Sequence, residues 1–437
     1  MDIIELPYQP DSESLFFKLQ ELSHCIWLDS GDPGTSDARY DIFSALPSQI
    51  ITGENGSLEP QLEQMLSQSS NTSELPFSGG WIGYFEYAYN HHSLGVHPIP
   101  ENNHAWFGWY DWGIVVDHKT QKTQMFFLSR CPTKIRKHAS QAFLAMPPQT
   151  AKFSPFTCSN FSNDEEKSHY GESIARIKDY LYAGDCYQVN YTQRFSAEFA
   201  GSSANAFICL RKSVPSPFSA FLNIGEKSLL SISPERFIRI DQRDAVTQPI
   251  KGTAQRGQSE SEDRDLKLQL KSSAKNLAEN LMIVDLLRND FGQLCITGSV
   301  KVPHLFEVQS FANVHHLVST ICGTLPDQVS HVQFVHSCFP GGSITGAPKK
   351  RAMQIIEELE RFDRGAYCGS IGYFSCNQKS DFNIAIRTME VRNNKIYAWA
   401  GGGIVVDSET ESEYKECFTK IQRLMHALER GSESTKR

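Results

Sequence analysis

Residues 79 to 85 read GGWIGYF, and residues 368 to 374 read CGSIGYF. A second pair keeps the same order and almost the same spacing: GWYDWGIVVD at 108 to 117 and AWAGGGIVVD at 398 to 407, offsets of 289 and 290 residues. The shared Ile, Val and Tyr are β-strand residues and could produce either match alone, but not both in order at nearly one offset, and the period is far too long for a solenoid. The echo predicts two related sheet-forming halves, one near each end of the chain, packed against each other. Gly401 and Gly402 of the later copy align with Asp111 and Trp112 of the earlier one. Only the later copy leaves backbone that a ligand can approach closely, so chemistry is expected in the C-terminal half. The earlier copy is then scaffold or a separate small-molecule pocket.

The chain has 437 residues, 40% of them hydrophobic and 21% charged, the profile of a soluble globular protein with room for two or three domains. A net charge of -8 and no basic block beyond KIRK at 134 to 137 argue against nucleic acid as a partner. No run of eighteen apolar residues occurs, and the first residues lack a positive n-region, so a cytoplasmic chain without a membrane partner is expected. The eleven cysteines are scattered singly, without a CxxC pair, which predicts reduced thiols. A Pro-, Ser- and Asn-rich stretch at 146 to 164 reads as a connection between an amino-terminal part, 1–150, and a second region, 165–430.

Within the second region a helix is expected from Glu165 to Tyr182, followed by a strand in CYQVNYTQRF, where Tyr187, Val189 and Tyr191 alternate. The segment FPGGSITGAPKKRAMQIIEELE at 339 to 360 reads as a glycine-rich loop feeding a helix, with Pro348 in its first turn. Such a loop suits an anion, with Thr345 adding a hydroxyl donor, although Ala347 after Gly346 departs from a phosphate-binding Walker loop. Two further helices, at 276 to 290 and 409 to 430, carry carboxylates beside apolar faces: Glu279 on the first, Glu413 and Glu416 with Lys420 on the second. Inward carboxylates from different helices suit a hard cation such as Mg2+. A solvated, salt-bridged face is the plainer alternative for the second set. Glu235 follows a proline in SISPERF, and Arg387 sits in the strand-like AIRTM, where a buried guanidinium needs a carboxylate partner. In VHHLVS, His315 and His316 on a strand face opposite ways. TQPIKGTAQRG at 247 to 257 is turn-rich, so a loop is expected to present Lys251.

Taken together, SISPERF, PIKGTAQRG, AENLMIVDLLRND, VHHLVS, GGSITGAPK, GAYCGSIGYF, AIRTM, AGGGIVVDS and EYKECFTK occur in the order found in the chorismate-utilising enzymes, and the chain resembles that family over about residues 165 to 430. The resemblance implies an α/β (α+β) fold with two large antiparallel sheets packed face to face between helices. It also implies Mg2+ held by Glu279 and Glu416, with Glu413 acting through water. Asn276 stands where the family often has another glutamate. Tyr367, Arg387, Gly401, Gly402 and Lys420 would bind substrate, with Thr253, Thr345 and His315 near the ring. Gln188 occupies the site of the lysine base in members that add water. The amino-terminal segments IWLDSG and GGWIGYF are similar to the part that in relatives holds tryptophan, here Asp29, Ser30, Gly31 and Tyr40.

PIKGT, where anthranilate-forming members typically have PIAGT, is the mark of the branch that forms 4-amino-4-deoxychorismate. In that branch Lys251 would attack the ring as a nucleophile and Glu235 would act as general acid. The amine must be neutral to attack; lowering an ordinary lysine from ~10.4 to about 7.5 disfavours the charged form by roughly 4 kcal/mol. No cysteine lies in a glutamine-hydrolysing nucleophile motif, so ammonia is expected from a separate glutamine amidotransferase subunit, in the route to 4-aminobenzoate and folate. Three other readings compete: an anthranilate-forming large subunit, a Schiff-base or pyridoxal-phosphate enzyme using Lys251, and a tryptophan-binding regulatory protein on a dead scaffold.

Overall fold

The computed structural model describes residues 1–32, 38–53, 56–96, 104–144, 155–310 and 314–434. Two mixed-order sheets organise them, one of thirteen strands and one of ten, and among the described residues the strands pair antiparallel. One apolar core draws on both sheets, joining Trp27, Phe43 and Trp112 of the larger to Trp81, Phe85 and Phe374 of the smaller. The α/β architecture is the one expected from sequence.

The echoed segments lie at the heart of this arrangement. Strand Gly80–Phe85 pairs directly with strand Ser370–Ser375, Gly83 opposite Gly372. The bare glycines allow the close approach: a Cβ at Gly83 or Gly372 would run into the backbone of strand Ala105–Tyr110 or strand Lys379–Asn383. The second echo places Trp112–Asp117 and Lys395–Ile404 in the larger sheet. Amino-terminal strands extend both sheets, so the two parts of the chain share their sheets.

The connection at 146 to 164 divides into two portions. Residues 146–154 lie outside the described residues; 155–164 hold two short strands, Phe156–Cys158 and Ser162–Asn163, which pair with the long strand Gln188–Gly201. The helix expected from Glu165 runs Lys167–Tyr182, with Tyr170, Ile174, Ile177 and Leu181 buried. The alternation expected from Tyr187 does not hold: Tyr187 is 73% exposed and precedes the strand, whereas Gln188, Val189, Asn190 and Tyr191 are all buried. Helices cover one side of this interior strand and the core the other, so both faces are dry.

Helices Ala274–Gly292 and Thr410–Ser434 form where apolar periodicity predicts them. The glycine-rich loop is used differently. Its helix begins at Lys349, with Pro348 outside as N-cap, and Gly346 and Ala347 pair with Val189 and Gln188. A Cβ on Gly346 would overlap the Gln188 carbonyl, so sheet contact explains this glycine.

Candidate functional site

Lys251 sits on strand Ile250–Gln255, not on a loop. The strand pairs with Val314–Thr324, but Ile250 faces Val318 and Thr253 faces His316, so Lys251 and Gly252 together oppose Leu317. This is a β-bulge, and Gly252 makes it possible with φ +91. Helix Ala274–Gly292 supports it from below: Asn276 packs where a Cβ of Gly252 would be, and Asn280 donates to the Leu317 carbonyl at 3.3 Å. Asn276 thus touches the lysine's bulge.

The Lys251 amine donates to the Ser343 carbonyl at 3.2 Å. Burial lowers its pKa and the Lys420 charge adds to this, while Glu235, Glu279 and Glu416 oppose it. Those five charged groups therefore share one electrostatic neighbourhood. Glu235 is 6% exposed between strands Lys227–Ser233 and Arg236–Asp241. Burial raises its pKa, against the Lys251 charge, the Ser343 hydroxyl and the Ile250 N–H. Ser343, which the sequence reading gave no role, contacts both members of this pair. Its signal lay only in its place within GGSITG, because its hydroxyl and carbonyl act from a loop far away in sequence.

Opposite lies Gly402. A Cβ there would stand 3.2 Å from Glu413 Oε2, 3.6 Å from Glu416 Oε1 and 3.7 Å from Lys420 Nζ. In the earlier copy Trp112 fills the aligned place with a buried indole. Glu416 and Lys420, both nearly half exposed, pair at 2.7 Å, and Lys420 donates to the Gly401 carbonyl at 3.0 Å. Glu413 is buried and accepts from the Ser408 hydroxyl at 2.7 Å. Burial raises its pKa and the Glu416 charge adds to this. Burial alone would raise Glu416 too, but Lys420, Lys275 and Lys251 hold it below the usual range. Glu279 lies 3.9 Å from Lys275. Among the described residues no three Asp, Glu, His or Cys side chains close a metal cage. The carboxylates present fit Mg2+ as that ion is usually bound, by one or two carboxylates with water and substrate completing the shell.

The histidine choice changes. His315 turns away, buried between Asp263 at 2.9 Å and Ser310 at 2.9 Å. His316 instead meets the Thr253 hydroxyl at 2.9 Å, and burial followed by the Arg387 charge pushes it down to about 4, so a neutral imidazole faces the site. The strand's two-residue period sends the neighbours to opposite faces. Arg387 lies in the bend between strands Lys379–Asn383 and Thr388–Arg392, with φ +51, rather than within a strand. Among the described residues it forms no ion pair, and burial lowers its pKa. Tyr367 is buried and stacks on Trp399 at 6.1 Å between ring centres.

Thr345 spends its hydroxyl on the Gly341 and Gly342 carbonyls, at 3.1 and 3.3 Å, instead of presenting a donor. Gln188 is buried against Gly403, and among the described residues its amide nitrogen has no hydrogen-bond partner. Of the four amino-terminal residues, Ser30 and Tyr40 line a cavity of about 870 Å3, together with Pro234, Arg236 and Tyr373. Asp29 instead meets Arg211 at 3.0 Å, and the Gly31 carbonyl accepts from the same guanidinium at 2.8 Å.

A buried lysine on a bulge, a buried acid beside it, a buried arginine and a strip of carboxylates over a glycine floor define a site for a small anionic substrate. The chain belongs to the chorismate-binding enzyme family, whose model matches residues 23–426. It is 40% identical to the aminodeoxychorismate synthase component 1 of Escherichia coli, over 98% of each chain, and 32% identical to that of Bacillus subtilis, over 99% of this chain and 98% of the other. Among solved structures it superposes on anthranilate synthase component I from Streptococcus pneumoniae with a TM-score of 0.81 at 31% identity, covering 90% of this chain and 93% of that one.

Proposed function

We propose that this chain aminates chorismate to 4-amino-4-deoxychorismate, in the route to 4-aminobenzoate and folate. The observation that carries the reading is the Lys251 amine, lowered by burial and set on a bulge beside the raised carboxyl of Glu235. Lys251 in its neutral form attacks C2 of the ring while the 4-hydroxyl leaves with a proton from Glu235, as water. Ammonia then enters at C4 and the C2–lysine bond breaks, returning its electron pair to the amine. Both steps are allylic displacements, and each is easier than direct substitution. Arg387, which forms no ion pair among the described residues, holds a substrate carboxylate, and Tyr367 adds a donor beside it. His316, not His315, lines the ring.

Glu279 and Glu416 would hold Mg2+, with Glu413 through water; the ion would supply positive charge for a substrate carboxylate. Lys275 and Lys420 beside these acids are the cations it would have to displace or share. The relatives' names contain the word component, which supports a partner subunit; we assign it as a glutamine amidotransferase delivering ammonia in a heterodimer. Among the described residues no helix is long and apolar enough to cross a membrane, and we place the enzyme in the cytoplasm. The cavity beside Ser30 and Tyr40 is the candidate tryptophan pocket.

The test supplies the purified chain with chorismate, Mg2+ and ammonium, and identifies products by mass spectrometry with and without a downstream lyase. Release of anthranilate and pyruvate instead would overturn the assignment in favour of the anthranilate-forming branch.

A further inference from the structure

Lys227, its side chain 16% exposed, lies between two carboxylates that no step above uses. Its amine lies 2.8 Å from Glu86 and 3.5 Å from Glu390, 5.0 Å above the ring of Tyr84. Glu86 in turn meets His104 at 3.2 Å, and Arg392 approaches the same Glu390 oxygen as Lys227, at 3.6 Å. The Glu390 side chain is 1% exposed. Its other oxygen accepts from the Ala366 N–H at 2.7 Å. A carboxylate so deeply placed is costly unless paired, and an apolar side chain would serve stability as well. The arrangement therefore points to a geometric task.

That task is visible in what Glu390 joins. Ala366 precedes Tyr367, and Glu390 lies three residues after Arg387, so one carboxylate bridges the turn bearing Tyr367 and the strand that follows Arg387. The turn is held from the other side as well, the Gly365 carbonyl accepting from the Tyr87 N–H at 2.9 Å. Gly365 has φ +53, and a Cβ there would stand 2.5 Å from Glu390 Oε1, so the bare Cα is what lets the carboxylate reach the next amide. We infer that Glu390, held by Lys227, is a positioning residue for substrate binding, fixing the Tyr367 turn relative to Arg387. This rests on the reading of Tyr367 and Arg387 as substrate residues.

The test uses the full chain with ammonium as nitrogen donor. Glu390→Leu raises the chorismate KM about tenfold, the worth of one charge-assisted hydrogen bond, with kcat changed less than about threefold. Glu390→Gln keeps an acceptor for the Ala366 N–H and recovers most of the loss. In a Tyr367→Phe background Glu390→Leu adds less than about twofold, because coupled residues are not additive. Gly365→Ala attacks the same contact from the opposite side and gives the same KM-selective loss, which covers a Glu390→Leu chain that does not fold. The inference fails if Tyr367→Phe raises KM while the Glu390 and Gly365 variants leave it unchanged, or if the Glu390 and Tyr367 effects multiply in full. An unaltered KM in Tyr367→Phe itself overturns both the inference and the reading of Tyr367.

Discussion

Replacing Gly252 with alanine tests the bulge that aims Lys251. At φ +91 an L residue pays for a left-handed backbone, roughly 1–2 kcal/mol. The new Cβ also stands 3.0 Å from Asn276 Cγ and from Leu270 Cδ1, tighter than ordinary contact. Together the two effects destabilise the chain by ~2–5 kcal/mol if the bulge persists. If the strand relaxes instead, the two-against-one pairing flattens and the lysine turns away from Ser343 and Glu235, since a shift of one residue reverses side-chain facing. A misplacement of about 1 Å at a reacting group costs on the order of a hundredfold. Ammonium-dependent amination followed by mass spectrometry, beside urea denaturation, reads both consequences. Adding Asn276→Ala relieves one of the two tight contacts but neither the Leu270 contact nor the torsion, so the double variant regains part of the stability alone. A Gly252→Ala chain with wild-type kcat/KM and an unchanged urea midpoint would refute the claim that this bulge positions the nucleophile.

Lys251→Met abolishes amination, by roughly a thousandfold or more for loss of a nucleophile, yet stabilises the empty protein at neutral pH. The sign follows from the lowered pKa: between its folded value and the ordinary ~10.4 the unfolded chain binds a proton that the folded chain lacks, so wild-type stability rises with pH across that window. The advantage of Lys251→Met in denaturation experiments is thus largest at low pH and fades as pH approaches ~10.4; a constant advantage would show that burial does not depress this amine. His316→Ala lowers kcat/KM by about a hundredfold and His315→Ala by less than about threefold, the reverse order contradicting the facing seen here. EDTA removes activity and Mg2+ restores it, and in Glu416→Gln the Mg2+ concentration needed for half-restoration rises about tenfold or more; an EDTA-insensitive enzyme would count against the acidic strip as a metal site.

Much of the site was legible as an inventory. GGSITGAPK, AIRTM and EYKECFTK name Thr345, Arg387 and Lys420 without coordinates, and apolar periodicity located the helices of Glu279 and Glu416. What the one-dimensional pattern missed was orientation. Adjacent histidines look equivalent in VHHLVS, but strand register sends His315 to Asp263 and His316 to Thr253. Thr345 resembled a donor for ligand until its hydroxyl was seen to serve two backbone carbonyls. PIKGT resembled a loop because proline and glycine punctuate it, when the glycine serves a bulge inside a strand. Glu390 carried no local signal and Ser343 only its place in GGSITG, since their contacts arrive from segments tens of residues distant.

Side-chain chemistry and its spacing are properties of the chain, so they alone determined the two pairs of echoed strands, the acidic helices and the lysine at position 251. Which face each group presents, how dry its surroundings are and which charges stand near it depend on pairing between remote strands. Those were decided only when Gly80–Phe85 met Ser370–Ser375 and the helix ending at Ser434 settled over Gly402. Burial and electrostatic neighbours, not residue type, set the proton affinity of Lys251 and Glu235, and both arise only from tertiary packing.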